Sequence, residues 1–246
     1  MYVSTDSHKI NKRVAIIQSN YIPWKGYFDI INSADEFILF DDVQYTKRDW
    51  RNRNKIKTSD GLKWLTIPVE VSGKYLQKIR DVKVADAAWG SRHWEIIKQC
   101  YANAPHFKEF RGIFEDLYLN TREVYLSQIN FRFIQSVNKI LGIATPISWS
   151  CAQQNITDRS KRLLCICKEA GANEYVSGPS AKDYLDVELF QKEGVNVKWM
   201  DYSGYPEYGQ QFLPFEHAVS VIDLIFNEGN NSPQFMKSFV QKSGVN

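Results

Sequence analysis

Two short apolar runs, VAII at residues 14–17 and EFILF at residues 36–40, each followed directly by a polar cluster, constrain this chain most. Both are too short for helices, and their nearly unbroken apolar character is that of strands covered on both faces. Between them Phe28, Ile30 and Ile31 recur at near-helical spacing within residues 27–34. Pro23 holds Ile22 extended before that helix, and Gly26 lets the backbone approach a neighbour closely. Strand, loop, helix and strand in this order build a parallel sheet whose ligands sit outside the carboxyl ends of the strands. The polar clusters 18–26 and 41–54 leave such ends, so they are expected to face one crevice.

The second cluster, DDVQYTKRDWRNRNKIK, opens with two carboxylates, Asp41 and Asp42, and from residue 47 to 57 sets six basic side chains against one further acid, Asp49. A basic exposed loop is the plain explanation of those charges. Tyr45, Trp50, Asn52 and Asn54, interleaved among them, argue instead for a pocket that takes a phosphate or diphosphate. The net charge of the chain is only +3, from 31 basic and 28 acidic residues, which gives no case for a nucleic-acid partner. Arg48 and Arg53 are expected to point into the crevice beside Tyr21, Trp24 and Gly26.

The segments QSNYIPWKGYFDII, FILFDDVQYTKRDWRNRNKIK, WLTIPV, YVSGPSAKDYLD and SVIDLIFNEG follow one another across residues 14–229. Together they resemble the WbqC-like proteins of bacterial surface-polysaccharide gene clusters. The resemblance implies one domain over residues 1–246 and a part in O-antigen, lipopolysaccharide or capsule assembly, with attachment of an aminoacyl group such as glycine to an amino sugar.

Residues 76–84 alternate as a strand does. From residue 89 to 142 the pattern is helical, a cap on the sheet. Its first helix has Ser91 as N-cap, Trp94, Ile97 and Tyr101 on one face and His93 in its first turn. Segments 107–119 and 124–141 are amphipathic, and their phenylalanines are core. A strand at ATPISWS, a helix over 158–170 and a strand over 195–199 continue the α/β alternation. A short strand ends in Ser177-Gly178-Pro179-Ser180, which is an ordinary turn with Ser180 as a cap, or an anion site at a helix N-terminus; the resemblance makes Ser177, Gly178, Ser180 and Tyr184 site candidates. Tyr205, Tyr208 and Gln210 either stack on a base or sugar or seal the edge of the core. A helix follows over 220–227, and the tail from residue 230 is expected to be loosely held.

The expected fold is a three-layer α/β domain with a mostly parallel sheet and a helical cap. Its first strand-loop-helix unit is similar to that of the nucleotidyltransferase and pantothenate-synthetase superfamily, with Gly26-Tyr27 where that superfamily carries Gly-His. Cys100, Cys151, Cys165 and Cys167 form no CxxC pair, so no zinc site is indicated. Residues 1–13 are polar, and no run reaches the roughly 18 apolar residues of a membrane span, which predicts a cytoplasmic protein.

The expected activity is a transferase that joins an acyl or aminoacyl group to the amine of a nucleotide-linked amino sugar. The donor is left open among an acyl thioester, an aminoacyl-tRNA and a free acid with ATP. His93 and Asp42 are the candidate proton acceptors, with Asp41 turned to the opposite side of the strand by the pleat. Lys47, Arg48 and Arg53 would hold the diphosphate, and Gln18, Asn52 and Asn54 the sugar hydroxyls. The alternatives are a non-catalytic sugar-nucleotide or glycan binding subunit and an ATP-dependent ligase resembling a nucleotidyltransferase.

Overall fold

The computed structural model describes residues 11–150 and 156–242; Cys151 lies outside them. Five parallel strands form the central sheet: β1 (Arg13–Ile17), β2 (Glu36–Leu39), β5 (Ile147–Trp149), β6 (Glu174–Ser177) and β7 (Asn196–Trp199), in the spatial order β5-β2-β1-β6-β7. Successive side chains of β1 alternate between two layers. Ala15 packs with helix α1 (Lys25–Ser33) and the cap, while Val14 and Ile16 pack against α5 (Arg159–Glu169) and α6 (Val187–Lys192). With apolar layers on both sides, every residue of the strand must be apolar, hence the unbroken run.

The cap consists of α2 (Trp89–Tyr101), α3 (Phe107–Leu119) and α4 (Leu126–Leu141). Trp94 stacks on Phe107 and Tyr118 at 6.1 and 6.2 Å, and Phe226 of α7 (Val221–Glu228) closes the cluster against Phe107 and Phe114 at 5.0 Å. Burying each such ring contributes about 1.5–3 kcal/mol. Gly142 ends α4 at a φ of 70°, and Asp158 caps α5 by accepting from the Lys161 amide at 2.7 Å. Gly90 is needed for close approach: a methyl group there would collide with the carbonyl oxygen of Tyr118. Gly90→Ala is therefore expected to lower stability by about 1–3 kcal/mol despite its better helix propensity, as read from urea unfolding.

Four local expectations are corrected. Residues 76–84 form a short 3-10 turn, Ile79–Asp81, flanked by single bridges rather than a strand. Residues 53–66, whose first part reads in the sequence as a basic loop or a phosphate pocket and not as a strand, form the antiparallel hairpin of β3 (Arg53–Thr58) and β4 (Gly61–Thr66); Asp60-Gly61 between two strand-like runs is its signature. Helix α2 starts at Trp89 with Ala88 as cap, and Ser91 instead donates back to the Ala88 carbonyl at 3.0 Å. The described part of the tail is packed: Met236 is fully buried, and the Ser238 amide, in helix α8 (Lys237–Lys242), donates to Asp29 at 2.8 Å. Among the described residues no helix is long and apolar enough to cross a membrane.

Candidate functional site

From β1 the chain builds outward through β2 to β5, then crosses to the far side of β1 for β6 and β7. The direction of winding therefore reverses between β1 and β6, and a crevice opens at their carboxyl ends, the usual place for a ligand in such sheets. Residues 18–24, 40–52 and 178–184 leave the strands there.

Asp41 organises the crevice floor. It is 1% exposed and accepts from the Ser19 amide at 2.7 Å and from the Ser127 hydroxyl. Burial raises its carboxyl above the usual range, against the opposing bonds from Ser127 and Ser19. Asn130 of α4 donates to the Ser19 hydroxyl at 3.0 Å and to the Arg51 carbonyl at 2.9 Å. Asn54 donates to the Ile22 carbonyl at 2.8 Å, and the Tyr21 amide to the Trp50 carbonyl at 3.0 Å. These bonds hold Ile22 at a φ of 36° instead of the extended conformation expected before Pro23, and a β-branched residue adopts it only under constraint. The first loop is thus fixed by Asp41 below and Asn54 beside it.

Asp42 points the other way. It is 4% exposed, pairs with Arg162 of α5 and accepts from the Ser150 hydroxyl at 2.9 Å.

Two cavities flank the fixed loop. One, of about 410 Å³, is lined on the α5 side by Gln18, Thr46, Asp49, Arg51, Arg159 and Tyr184, among others. Within it Arg51 donates to Gln18 at 3.3 Å and to Asn20, and lies 3.5 Å from Asp49. The Arg159 guanidinium sits 4.2 Å above the Tyr184 ring and has no ion pair among the described residues. The second cavity, of about 260 Å³, lies between the loop and the hairpin and is walled by Trp24, Trp50 and Asn54.

The sequence candidates divide accordingly. Gln18, Trp24, Asn54 and Tyr184 line one cavity or the other. Tyr21 is fully buried, its hydroxyl 2.8 Å from His93 and 3.0 Å from Tyr118. Gly26 is close-packed beneath the Trp24 indole, so the neighbour that requires glycine is the protein itself. Asn52 is buried and donates to the Ile67 carbonyl at 2.8 Å. Lys47 and Arg48 are exposed, Lys47 lying 5.4 Å over Tyr75, and Arg53 stacks 4.1 Å over Trp64. None of these three lines either cavity. Ser177 is buried against Tyr175 at 3.3 Å, while Ser180 is exposed in a five-residue 3-10 turn whose cap is Gly178.

His93 is 6% exposed. Its Nε2 donates to the Thr66 carbonyl at 3.2 Å, which leaves Nδ1 to accept from the Tyr21 hydroxyl at 2.8 Å. Burial pushes its pKa down to about 4, so it is neutral near pH 7 and both ring nitrogens are occupied. Tyr205 donates to the buried Asp29, while Tyr208 and Gln210 donate to Asp223 at 2.7 and 2.9 Å, so all three seal the core edge.

Arg51, Arg159, Ser127 and Asn130 were not singled out in the sequence. The last two had a signal, since a polar residue on the buried stripe of an amphipathic helix needs a partner. Arg159 had none. Among the described residues no group of three or more His, Cys, Asp or Glu side chains is placed to hold a metal ion.

The family model described as the WbqC-like protein family matches residues 18–235. The chain is 46% identical over 226 residues to uncharacterized protein Rv1507c of Mycobacterium tuberculosis, covering 92% of this chain and 98% of that protein. No solved structure matches.

Proposed function

The chain belongs to the WbqC-like protein family, a membership that suggests a role in polysaccharide-related biosynthesis, and on that premise we propose that it is a transferase acylating the amine of a nucleotide-linked amino sugar. The observation that carries the reading is the cavity at the winding reversal, where Arg51 and Arg159 face a space also lined by Gln18 and Thr46. Two guanidinium groups beside neutral hydrogen-bonding side chains suit a diphosphate joined to a polyhydroxyl ring.

In the proposed step the neutral amine attacks the carbonyl of an acyl thioester or aminoacyl ester, forming the C–N bond and releasing a thiol or hydroxyl as the C–S or C–O bond breaks. The amine proton needs an acceptor. Asp49 is the carboxylate that lines this cavity; it accepts from the Thr46 hydroxyl at 2.8 Å and the Trp50 amide at 2.7 Å but keeps its side chain 30% exposed, whereas Asp41 and Asp42 are buried among their partners. We assign the acceptor role to Asp49 and a positioning role to His93, which orients Tyr21 beneath the loop.

That internal commitment of Asp41, Asp42 and His93 also favours a second reading, a sugar-nucleotide binding subunit without chemistry. Mass spectrometry separates the two. Incubation of UDP-, dTDP- or GDP-linked amino sugars with glycyl-tRNA, acyl thioesters or glycine plus ATP is expected to add the acyl mass to one sugar nucleotide. Binding with no mass change across the panel would select the second reading. Arg159→Ala is expected to weaken binding of the same sugar nucleotide about ten- to a hundredfold by calorimetry, the loss of one charge-assisted contact. Unchanged affinity would remove the diphosphate from this cavity.

A further inference from the structure

The cationic cavity leaves its neighbour between the loop and the hairpin without a role. That second cavity, about 260 Å³, is walled by Trp24, Trp50 and Pro23, with Asn20, Asn54 and His217 as its polar lining. No Arg or Lys lines it among the described residues, in contrast to the adjoining cavity with Arg51 and Arg159. Trp50 is 42% exposed, yet it is braced: its ring packs 5.5 Å from that of Trp64, which carries the Arg53 guanidinium at 4.1 Å. An indole held in place at the mouth of a cavity is a preformed contact surface.

We propose that this cavity is a subsite for an uncharged pyranose ring. The apolar C–H face of a sugar covers an indole well, and its hydroxyls need scattered single donors and acceptors rather than a charge. The Asn20 amide N–H groups and the His217 ring are groups of that kind, with the second lone pair of the Asn54 carbonyl beside them. A phosphate would find no Arg or Lys in the lining. A nucleobase would need a free amide to meet its fixed donor-acceptor edge, but Asn54 already donates to the Ile22 carbonyl at 2.8 Å and accepts from the Lys55 amide at 2.8 Å, while the Asn20 carbonyl is taken by Arg51. The volume suits one ring rather than a chain of them.

The bond between Arg51 and Asn20 is the wall shared by the two cavities, since Arg51 lines one and Asn20 the other. A molecule with an uncharged sugar at one end and a diphosphate at the other would meet matching chemistry on each side of that wall. The choice of an amino sugar as probe rests on the function proposed above, whereas the division of charge between the cavities does not.

Calorimetry on the full chain tests the subsite with three kinds of probe, each titrated alone and the glycosides again in the presence of each of the others: the methyl glycosides of N-acetylglucosamine and N-acetylgalactosamine, inorganic pyrophosphate, and uridine. At least one glycoside is expected to bind with little dependence on salt, without competition from pyrophosphate, and about tenfold more weakly to Trp50→Ala, the effect of losing one aromatic contact. Because Trp50 is a surface side chain, this variant is expected to unfold with the parent chain. No binding by either glycoside, equal affinity in Trp50→Ala, or uridine competing for the glycoside site would each overturn the subsite. Glycoside binding without pyrophosphate binding would support the subsite while counting against the diphosphate cavity, and the reverse pattern would sink the subsite alone.

Discussion

Arg162→Met is expected to destabilise the protein by about 3–5 kcal/mol, the cost of leaving a buried carboxylate without its partner. Asp42 is 4% exposed, and among the described residues its charge is answered by the Arg162 guanidinium and the Ser150 hydroxyl, the latter at 2.9 Å. Methionine keeps much of the stem that packs near Phe40, over whose ring the guanidinium lies at 5.0 Å, so the variant removes charge more than volume. The double variant Asp42→Asn, Arg162→Met buries no charge at the position, and an asparagine carbonyl can still accept from Ser150. It is expected to recover most of the loss. Urea unfolding of the parent, the two single variants and the double variant measures the coupling. Equal stability of Arg162→Met and the parent would mean that water reaches Asp42 and that the pair does not tie α5 to the end of β2.

The second large effect depends on pH and comes from His93. Its pKa is about 4 in the folded protein because burial opposes the charged ring, whereas an unfolded histidine titrates near 6.5. As pH falls below about 6.5 the unfolded chain takes up the proton first, and this uptake favours unfolding until the folded ring is protonated as well. The contribution is therefore fully present above that range and lost on the way down to pH 4. It amounts to about 2 kcal/mol between pH 7 and pH 5, and about 3 kcal/mol by pH 4. Asp41 and Asp223, whose carboxyls burial raises, act in the opposite direction, because the folded state takes their protons first. Comparing His93→Asn with the parent at each pH isolates the histidine. The variant is expected to be less stable at pH 7, where Tyr21 and Thr66 lose their partner, and to show a flatter decline toward pH 5. A parallel decline in both chains would show that the ring is already solvated. If His93 positions Tyr21 rather than moving a proton, the pH profile of turnover in such a variant should keep the parent's shape.

How much of this was legible in the sequence depended on the range of each signal. Periods of two and of 3.6 residues, a capping Asp158, a terminating Gly142 and apolar runs bounded by polar clusters act within a few residues, and they located the five sheet strands and the long helices. The hairpin was legible too, through Asp60-Gly61, but the basic residues around it drew attention to charge instead of turn chemistry. Spacing could name Asp41, Asp42 and His93 as chemically capable and could state that adjacent strand residues diverge. It could not say what each would meet.

The sequence by itself determined the layered α/β architecture, because a strand covered on both faces must be apolar throughout and a helix covered on one face must be striped. Tertiary structure alone decided which polar residues were spent on holding the fold and which were left facing a cavity. Asp41 meets Ser127 from 86 positions away, Asp42 meets Arg162 from 120, and His93 meets Tyr21 from 72. A buried polar group must find a partner wherever the packed chain brings one, and no local pattern records where that will be. For the same reason Arg51 and Arg159 face the cavity while Arg48 and Arg53 do not: Arg51 is held by Asn20, Gln18 and Asp49, Arg159 lies over Tyr184 and Arg53 over Trp64, and residue type alone does not distinguish them.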